Sequence, residues 1–238
     1  MKKLSKITES IWSDMQDRSA GEVVREEDKI TTNEELKNRI QKLYKEQGEG
    51  ETLDVSSLTK LIKCDDFSSI FKGYKKVKHI IGLENWDVSA VTDMHYMFYE
   101  CENLNCDLSD WDVSNVTNMW HLFDGCKKLD CDLSDWKVYK VTDMSYMFNN
   151  CEQFNCDLSR WNVSKVKDMT SMFAGCKNFN CNLSRWNMSK VRNISYMFYN
   201  CTSFKGEGLY MWDVSNIDDA IKTFKGCDKD IIPSWYKN

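Results

Sequence analysis

The sequence predicts an α/β repeat solenoid of about seven coils, each 25 residues long, with one short parallel strand and one short helix per coil and a helical cap at the N-terminus. Three observations carry that expectation. Tryptophan recurs at Trp86, Trp111, Trp136, Trp161 and Trp186. Phenylalanine recurs at Phe98, Phe123, Phe148, Phe173 and Phe198, and cysteine at Cys101, Cys126, Cys151, Cys176 and Cys201, on the same 25-residue step. A single unit of that length has too little apolar surface to fold alone, so neighbours must stack and share one interior.

Residues 1–50 lie outside the repeat and form the first predicted segment. Leu4, Ile7, Ile11, Trp12 and Met15 fall at helical spacing, an apolar stripe that either caps the first coil or docks elsewhere. Thr32 followed by Glu35 is a capping-box pattern that opens a helix running through about Gln47, with Leu36, Ile40 and Leu43 on its apolar face. Gly48 and Gly50 then read as a stop.

Residues 51–230 are the predicted solenoid, and residues 231–238 a C-terminal cap. Within a unit, Val116, Met119, Leu122, Phe123 and Cys126 are separated by steps of three and four, which predicts one face of a short helix or a tight helical turn. Leu129, Cys131 and Leu133 alternate, which predicts a short strand. The spacing continues in degraded form upstream, from Cys64 to Val77, and downstream, from Trp212 to Cys227. End coils are expected to deviate, because they must shield the core from water.

The unit Trp136–Arg160 carries, almost intact, Trp-Asp-Val-Ser-x-Val-Thr-x-Met-x-x-Met-Phe-x-x-Cys-x-x-Phe-Asn-x-Asp-Leu-Ser. This motif resembles the BspA-type branch of leucine-rich repeats, in the Met- and Phe-rich version of bacterial, mycoplasmal and phage-associated surface proteins. The resemblance covers roughly residues 61–227. It implies a curved leucine-rich-repeat-like solenoid with binding or adhesive roles and no catalytic residues to carry over. The stretch Met1–Glu27 also resembles the N-terminal openings of proteins from Bacteroides-infecting tailed phages, which implies a phage-encoded or virion-associated protein.

Composition narrows the function. A net charge of -5 argues against a general nucleic-acid binder. Eleven cysteines would suggest disulfides in a secreted chain, but the basic tip of the N-terminus is followed by no apolar stretch. The expectation is therefore a cytoplasmic site of folding, free buried or half-buried thiols and no membrane span. Cys106, Cys131, Cys156 and Cys181 form a second cysteine column in the predicted strand. Neither column has the paired Cys-x2-Cys or histidine spacing of a zinc site. The histidines, His79, His95 and His121, read as non-equivalent, and no unique convergent set marks an active site. A non-enzymatic protein without a cofactor is expected.

Three columns could reach a partner. Asp107, Asp132, Asp157 and Asn182 would bind a cation or, by the favoured reading, their own turn backbone. Trp86 through Trp186 would form an exposed platform or, again favoured, a half-buried corner ladder. Surface function is best sought where the units differ, because shared positions hold the scaffold. Asp110 and Asp135 become Arg160 and Arg185; Ala90 and Asn115 become Lys140, Lys165 and Lys190; Thr117 and Thr142 become Lys167 and Arg192. The expected partner-binding set is Arg160, Lys165, Lys167, Arg185, Lys190 and Arg192, with aromatic contacts from Tyr146 and Tyr196 and from the neighbouring Tyr96 and Trp120. The leading expectation is a protein–protein interaction scaffold; the alternative is a carbohydrate-binding or adhesive module using the Trp and Tyr ladders. Sequons at Asn115, Asn162 and Asn187 are by-products of the repeat.

Overall fold

The computed structural model describes residues 25–237. After a short 3-10 turn (Glu26–Asp28) come helix α1 (Asn33–Glu46) and strands β1 (Thr52–Asp54) and β2 (His79–Ile81), which pair in parallel with Leu53 opposite Ile80. The Thr32 hydroxyl accepts the Glu35 N–H at 3.2 Å, which satisfies one of the orphan donors of the first turn. Leu36 and Ile40 are fully buried, and Gly48, at φ 87°, turns the chain out of the helix.

Downstream of β2, each 25-residue unit lies against the next. Single parallel bridges join Asp66 to Asp93, then Asn118, Asp143, Asp168, Asn193 and Asp219. Phe71, Phe98, Phe123, Phe148, Phe173, Phe198 and Phe224 form one column of near-parallel rings, with centroids 5.4–5.8 Å apart. Phe154, Phe179 and Phe204 pack flat against it at 4.0–4.3 Å in the later units. With the Met, Val, Leu and Trp positions these rings make one continuous core that runs from Ile30 and Leu36 to Phe224.

The units differ from the expected strand and helix in a way their backbone explains. The apolar steps of three and four are not helical. Tyr96, His121, Tyr146, Ser171 and Tyr196 all have φ of 53–58°, and four residues later Glu100, Gly125, Asn150, Gly175 and Asn200 are left-handed as well. Two reversals of hand per unit interrupt any α-helix. Alternate amides then serve two directions. Met97 and Tyr99 N–H groups close local turns on Met94 and Tyr96 carbonyls, at 3.2 and 3.1 Å. Met94, Tyr96, Phe98 and Glu100 N–H groups instead donate to Asn118, Trp120, Leu122 and Asp124 of the next unit, at 2.7–3.1 Å. An Asx turn prepares each reversal: the Asp93 carboxylate accepts the His95 N–H at 2.9 Å, immediately before Tyr96. Glycine is required at Gly208, at φ 83°, where a Cβ would lie 2.5 Å from the backbone nitrogen and Cα of Ser184 in the preceding unit.

The expected strand around Leu129, Cys131 and Leu133 is also corrected. Only the first two layers, β1 and β2, pair there as a ladder, and near the other end the Leu183 N–H reaches the Glu207 carbonyl at 3.3 Å. The layers between are joined by side-chain acceptors. Leu133 and Leu158 N–H groups donate to Cys156 and Cys181 Sγ, each at 3.1 Å, and the Asn180 N–H donates to Asn155 Oδ1 at 2.8 Å.

The N-terminal end of the stack is closed by two amide side chains. Asn33 Nδ2 donates to the Asp66 and Ser68 carbonyls, both at 3.0 Å. Gln47 clamps the outer edge of β1, donating to the Asp54 carbonyl at 2.8 Å and accepting its N–H at 2.7 Å. Both substitute for the coil that would otherwise precede them.

Candidate interaction surface

The tryptophan column is buried rather than half-buried, with relative exposures of 2–5% from Trp86 to Trp212. Each indole lies on the phenylalanine column, as Trp161 does on Phe148 at 6.2 Å. Its Nε1 donates to a leucine carbonyl of the preceding layer: Trp136 to Leu108 and Trp161 to Leu133, both at 2.9 Å. The same arrangement continues to Trp235, whose Nε1 reaches Leu209 at 2.9 Å, so the C-terminal residues add a last rung. The indoles therefore offer no platform to a ligand.

Trp86 Nε1 is the exception, a buried donor without a partner. Leu58, the residue one step upstream of Leu83, turns its carbonyl to the Leu61 N–H instead. Trp86→Phe and Trp136→Phe remove similar ring area, but only the second loses a hydrogen bond. We expect Trp136→Phe to lower stability by about 1–2 kcal/mol more than Trp86→Phe. Urea denaturation of both variants checks this, and equal losses would mean that the indole bonds contribute nothing.

The cysteines are free, and their placement accounts for both columns. Cys101, Cys126, Cys151, Cys176 and Cys201 donate their S–H to the Phe carbonyl of the preceding layer, at 2.9–3.1 Å. Burial pushes the Cys101 thiol up to about 12 and drives Cys126, Cys151 and Cys201 well above the ordinary range. In the second column Cys156 is raised to about 11 by burial, and its sulfur is the acceptor of the backbone bond described above.

The acidic column resolves into turns. Asp107, Asp132 and Asp157 each accept the N–H of the serine two residues on, at 2.9–3.0 Å. That backbone bond, with the serine hydroxyl, holds all three carboxyls below the usual range. Among the described residues no group of three His, Cys, Asp or Glu side chains could hold a metal ion.

The basic positions are exposed and occupy adjacent rungs. The Arg192 N–H donates to the Lys167 carbonyl at 2.9 Å, so these two side chains leave neighbouring layers side by side. Upstream, Thr117 and Thr142 direct their hydroxyls to backbone carbonyls at 3.2 and 3.3 Å; lysine and arginine at the same register reach out instead. Arg160 sits 3.8 Å from Asp135, and Arg192 2.9 Å from Asp218. Lys165, Lys167, Arg185 and Lys190 form no ion pair among the described residues. A shallow depression between Arg160 and Arg185 is lined by Ser159, Asn162 and Asn187.

Aromatic contacts gather in the earlier units. Tyr96, His121 and Tyr146 stack face to face, with centroids 4.6 and 4.4 Å apart, and Trp120 meets both Tyr96 and His121 edge-on at 4.8 Å. Asp124, buried, hydrogen-bonds His121 Nδ1 and accepts from Asn149 Nδ2 at 2.8 Å, fixing the imidazole plane. Lys72 lies 4.4 Å above the Tyr96 ring. Ser171 interrupts the column, so Tyr196 stands apart from Tyr146, beside Tyr199 and Lys222. His121 belongs to this register although the histidines read as unrelated: it stands 25 residues from both Tyr96 and Tyr146, as His95 does from Trp120. That arithmetic was available in the sequence.

The apolar stripe Leu4, Ile7, Ile11, Trp12 and Met15 lies outside the described residues. Among the described residues no helix is long and apolar enough to cross a membrane. The family described as "Mycoplasma protein of unknown function, DUF285" matches residues 65–172 and again residues 131–235. No curated protein and no solved structure matches the chain.

Proposed function

Because the chain belongs to the family described as Mycoplasma protein of unknown function, DUF285, we propose that its repeats are a leucine-rich-repeat-like solenoid of the BspA type, and that this solenoid is a non-enzymatic scaffold for protein–protein interaction. One observation carries the reading. On a chain of net charge -5, cations accumulate at three neighbouring registers over two successive layers, and four of them have no acidic partner among the described residues. Apart from Trp86 Nε1, repeated polar groups in the interior are saturated by the layers themselves, so specificity falls to positions that break the repeat. The partner fits as an acidic protein surface drawn to Arg160, Lys165, Lys167, Arg185, Lys190 and Arg192. The carbohydrate alternative is the weaker one: the indoles are buried, and the Tyr96, His121 and Tyr146 faces are covered by one another.

The test is a four-fold charge reversal, Arg160→Glu, Lys165→Glu, Arg185→Glu and Lys190→Glu, measured against the partner identified by mass spectrometry of co-purifying proteins. The association rate should fall by about ten-fold or more, and its dependence on salt should weaken. Unchanged association would remove the basic columns from the interface. A hit on a glycan array that needs Tyr146 would replace the protein reading with the carbohydrate one.

A further inference from the structure

The two ends of the stack are finished differently. In the last interlayer contact, Ile194, Tyr196, Phe198 and Asn200 donate their N–H groups to Asp219, Ile221, Thr223 and Lys225, at 2.8–3.0 Å. The equivalent donors of the final layer are the N–H groups of Ala220, Lys222, Phe224 and Gly226. None of these four has a hydrogen bond among the described residues. The C-terminal residues cover the phenylalanine and tryptophan columns, with Trp235 and Tyr236 6.0 and 5.0 Å from Phe224. They leave the row of donors unanswered. At the other end, Asn33 answers the first two carbonyls of the matching row, those of Asp66 and Ser68.

We propose that this C-terminal edge binds a segment of a partner protein that follows the turned path of the covering layers, adding as the next rung by offering backbone carbonyls to Ala220, Lys222, Phe224 and Gly226 and acidic side chains to Lys222 and Lys225. The proposal deepens the protein-binding reading and rests on it. Each covering segment presents carbonyls at every second residue, as Asp219, Ile221, Thr223 and Lys225 do to the layer before them, and a partner segment on the same path would match donors at every second residue. A second copy is the poorer occupant. Tail to tail it would set donors against donors, and head to tail it would meet a row whose Asp66 and Ser68 carbonyls are already taken by Asn33. Charge agrees: Lys222 and Lys225 are exposed within the row and form no ion pair among the described residues. Ile221, 57% exposed beside them, gives an apolar side chain of the segment a surface to cover.

The probe is a synthetic peptide copying residues 141–150, the segment that covers the same donor row four layers below, flanked by two glutamates at each end. It is titrated into the 15N-labelled full chain. Amide exchange at positions 220, 222, 224 and 226 should slow by about ten-fold or more, and the double variant Lys222→Glu, Lys225→Glu should weaken binding by about five-fold or more. If that variant does not fold, the amide-resolved titration of the unaltered chain decides alone. Four results overturn the proposal. The four amides exchange freely at saturating peptide, or the peptide does not bind at all. The peptide perturbs only the Arg160–Arg192 region, which sinks the edge while leaving the basic-column reading intact. The four amides are protected without peptide in a chain that sediments as a dimer, which assigns the edge to a second copy.

Discussion

Raising the pH from 8.5 to 9.5 is expected to unfold much of the protein, through its thiols rather than its carboxylates. Cys101, Cys126, Cys151, Cys176 and Cys201 are at most 1% exposed, and burial raises all five. The sign follows from linkage. A folded-state value above the unfolded one means that the folded chain holds its proton longer. The stability is therefore fully present below the unfolded value, near 8.5, and is lost as pH rises from there toward the folded value. Each such thiol removes about 1 kcal/mol between pH 8.5 and 9.5, because the unfolded thiol is half ionised at the start of that window and the full slope of about 1.4 kcal/mol per unit is reached only above it. Five acting together remove about 5 kcal/mol, the size of a small domain's stability. Each S–H also donates to a Phe carbonyl, a bond the thiolate cannot make. Guanidinium midpoints at pH 7, 8.5 and 9.5 measure the decline, and a variant carrying alanine at the five positions should decline less steeply, keeping only the share of the other six cysteines, which burial raises as well. An equally steep decline in that variant would place the titration elsewhere.

Phe148→Ala is expected to lower stability by about 3–5 kcal/mol. The ring is fully buried, lies 5.7 Å from both Phe123 and Phe173, and touches Phe154 at 4.1 Å. Its removal leaves a cavity between rings whose positions are set by the interlayer hydrogen bonds on either side, so collapse around it is limited. Because stacked units are coupled mainly to their neighbours, the break should also separate unfolding into two transitions, detected as a lower apparent m-value. Ile81→Ala, at a side chain 50% exposed, is the contrast and should change stability by less than about 0.5–1 kcal/mol. A loss below about 1.5 kcal/mol at Phe148 would mean that the column is not the interior on which the layers depend.

The two predictions read different parts of one column pattern, and that pattern was legible before any coordinates. Phe, Met, Trp and Cys at a constant step announced a shared interior, and Thr32 with Glu35 announced α1 within a residue or two of Asn33–Glu46. The turn reading of Asp107, Asp132 and Asp157 was equally available, since a serine follows each at two residues. The basic columns emerged by comparing units register by register. The same comparison would have joined His121 to Tyr96 and Tyr146 had the histidines not been considered apart from the tyrosines.

Periodicity by itself determined which side chains face inward and which register each residue occupies, because burial repeats wherever the unit repeats. It could not determine the backbone path between them. Steps of three and four fit an α-helix, but they fit equally a chain that reverses hand at Tyr96 and Glu100, and only the neighbouring layers, by accepting alternate N–H groups, select the second. The same holds for the partners of Trp Nε1, Cys Sγ and the Asn side chains, and for the difference between the two ends. A hydrogen bond between layers joins residues some 25 positions apart, and no local propensity records which carbonyl will be waiting there.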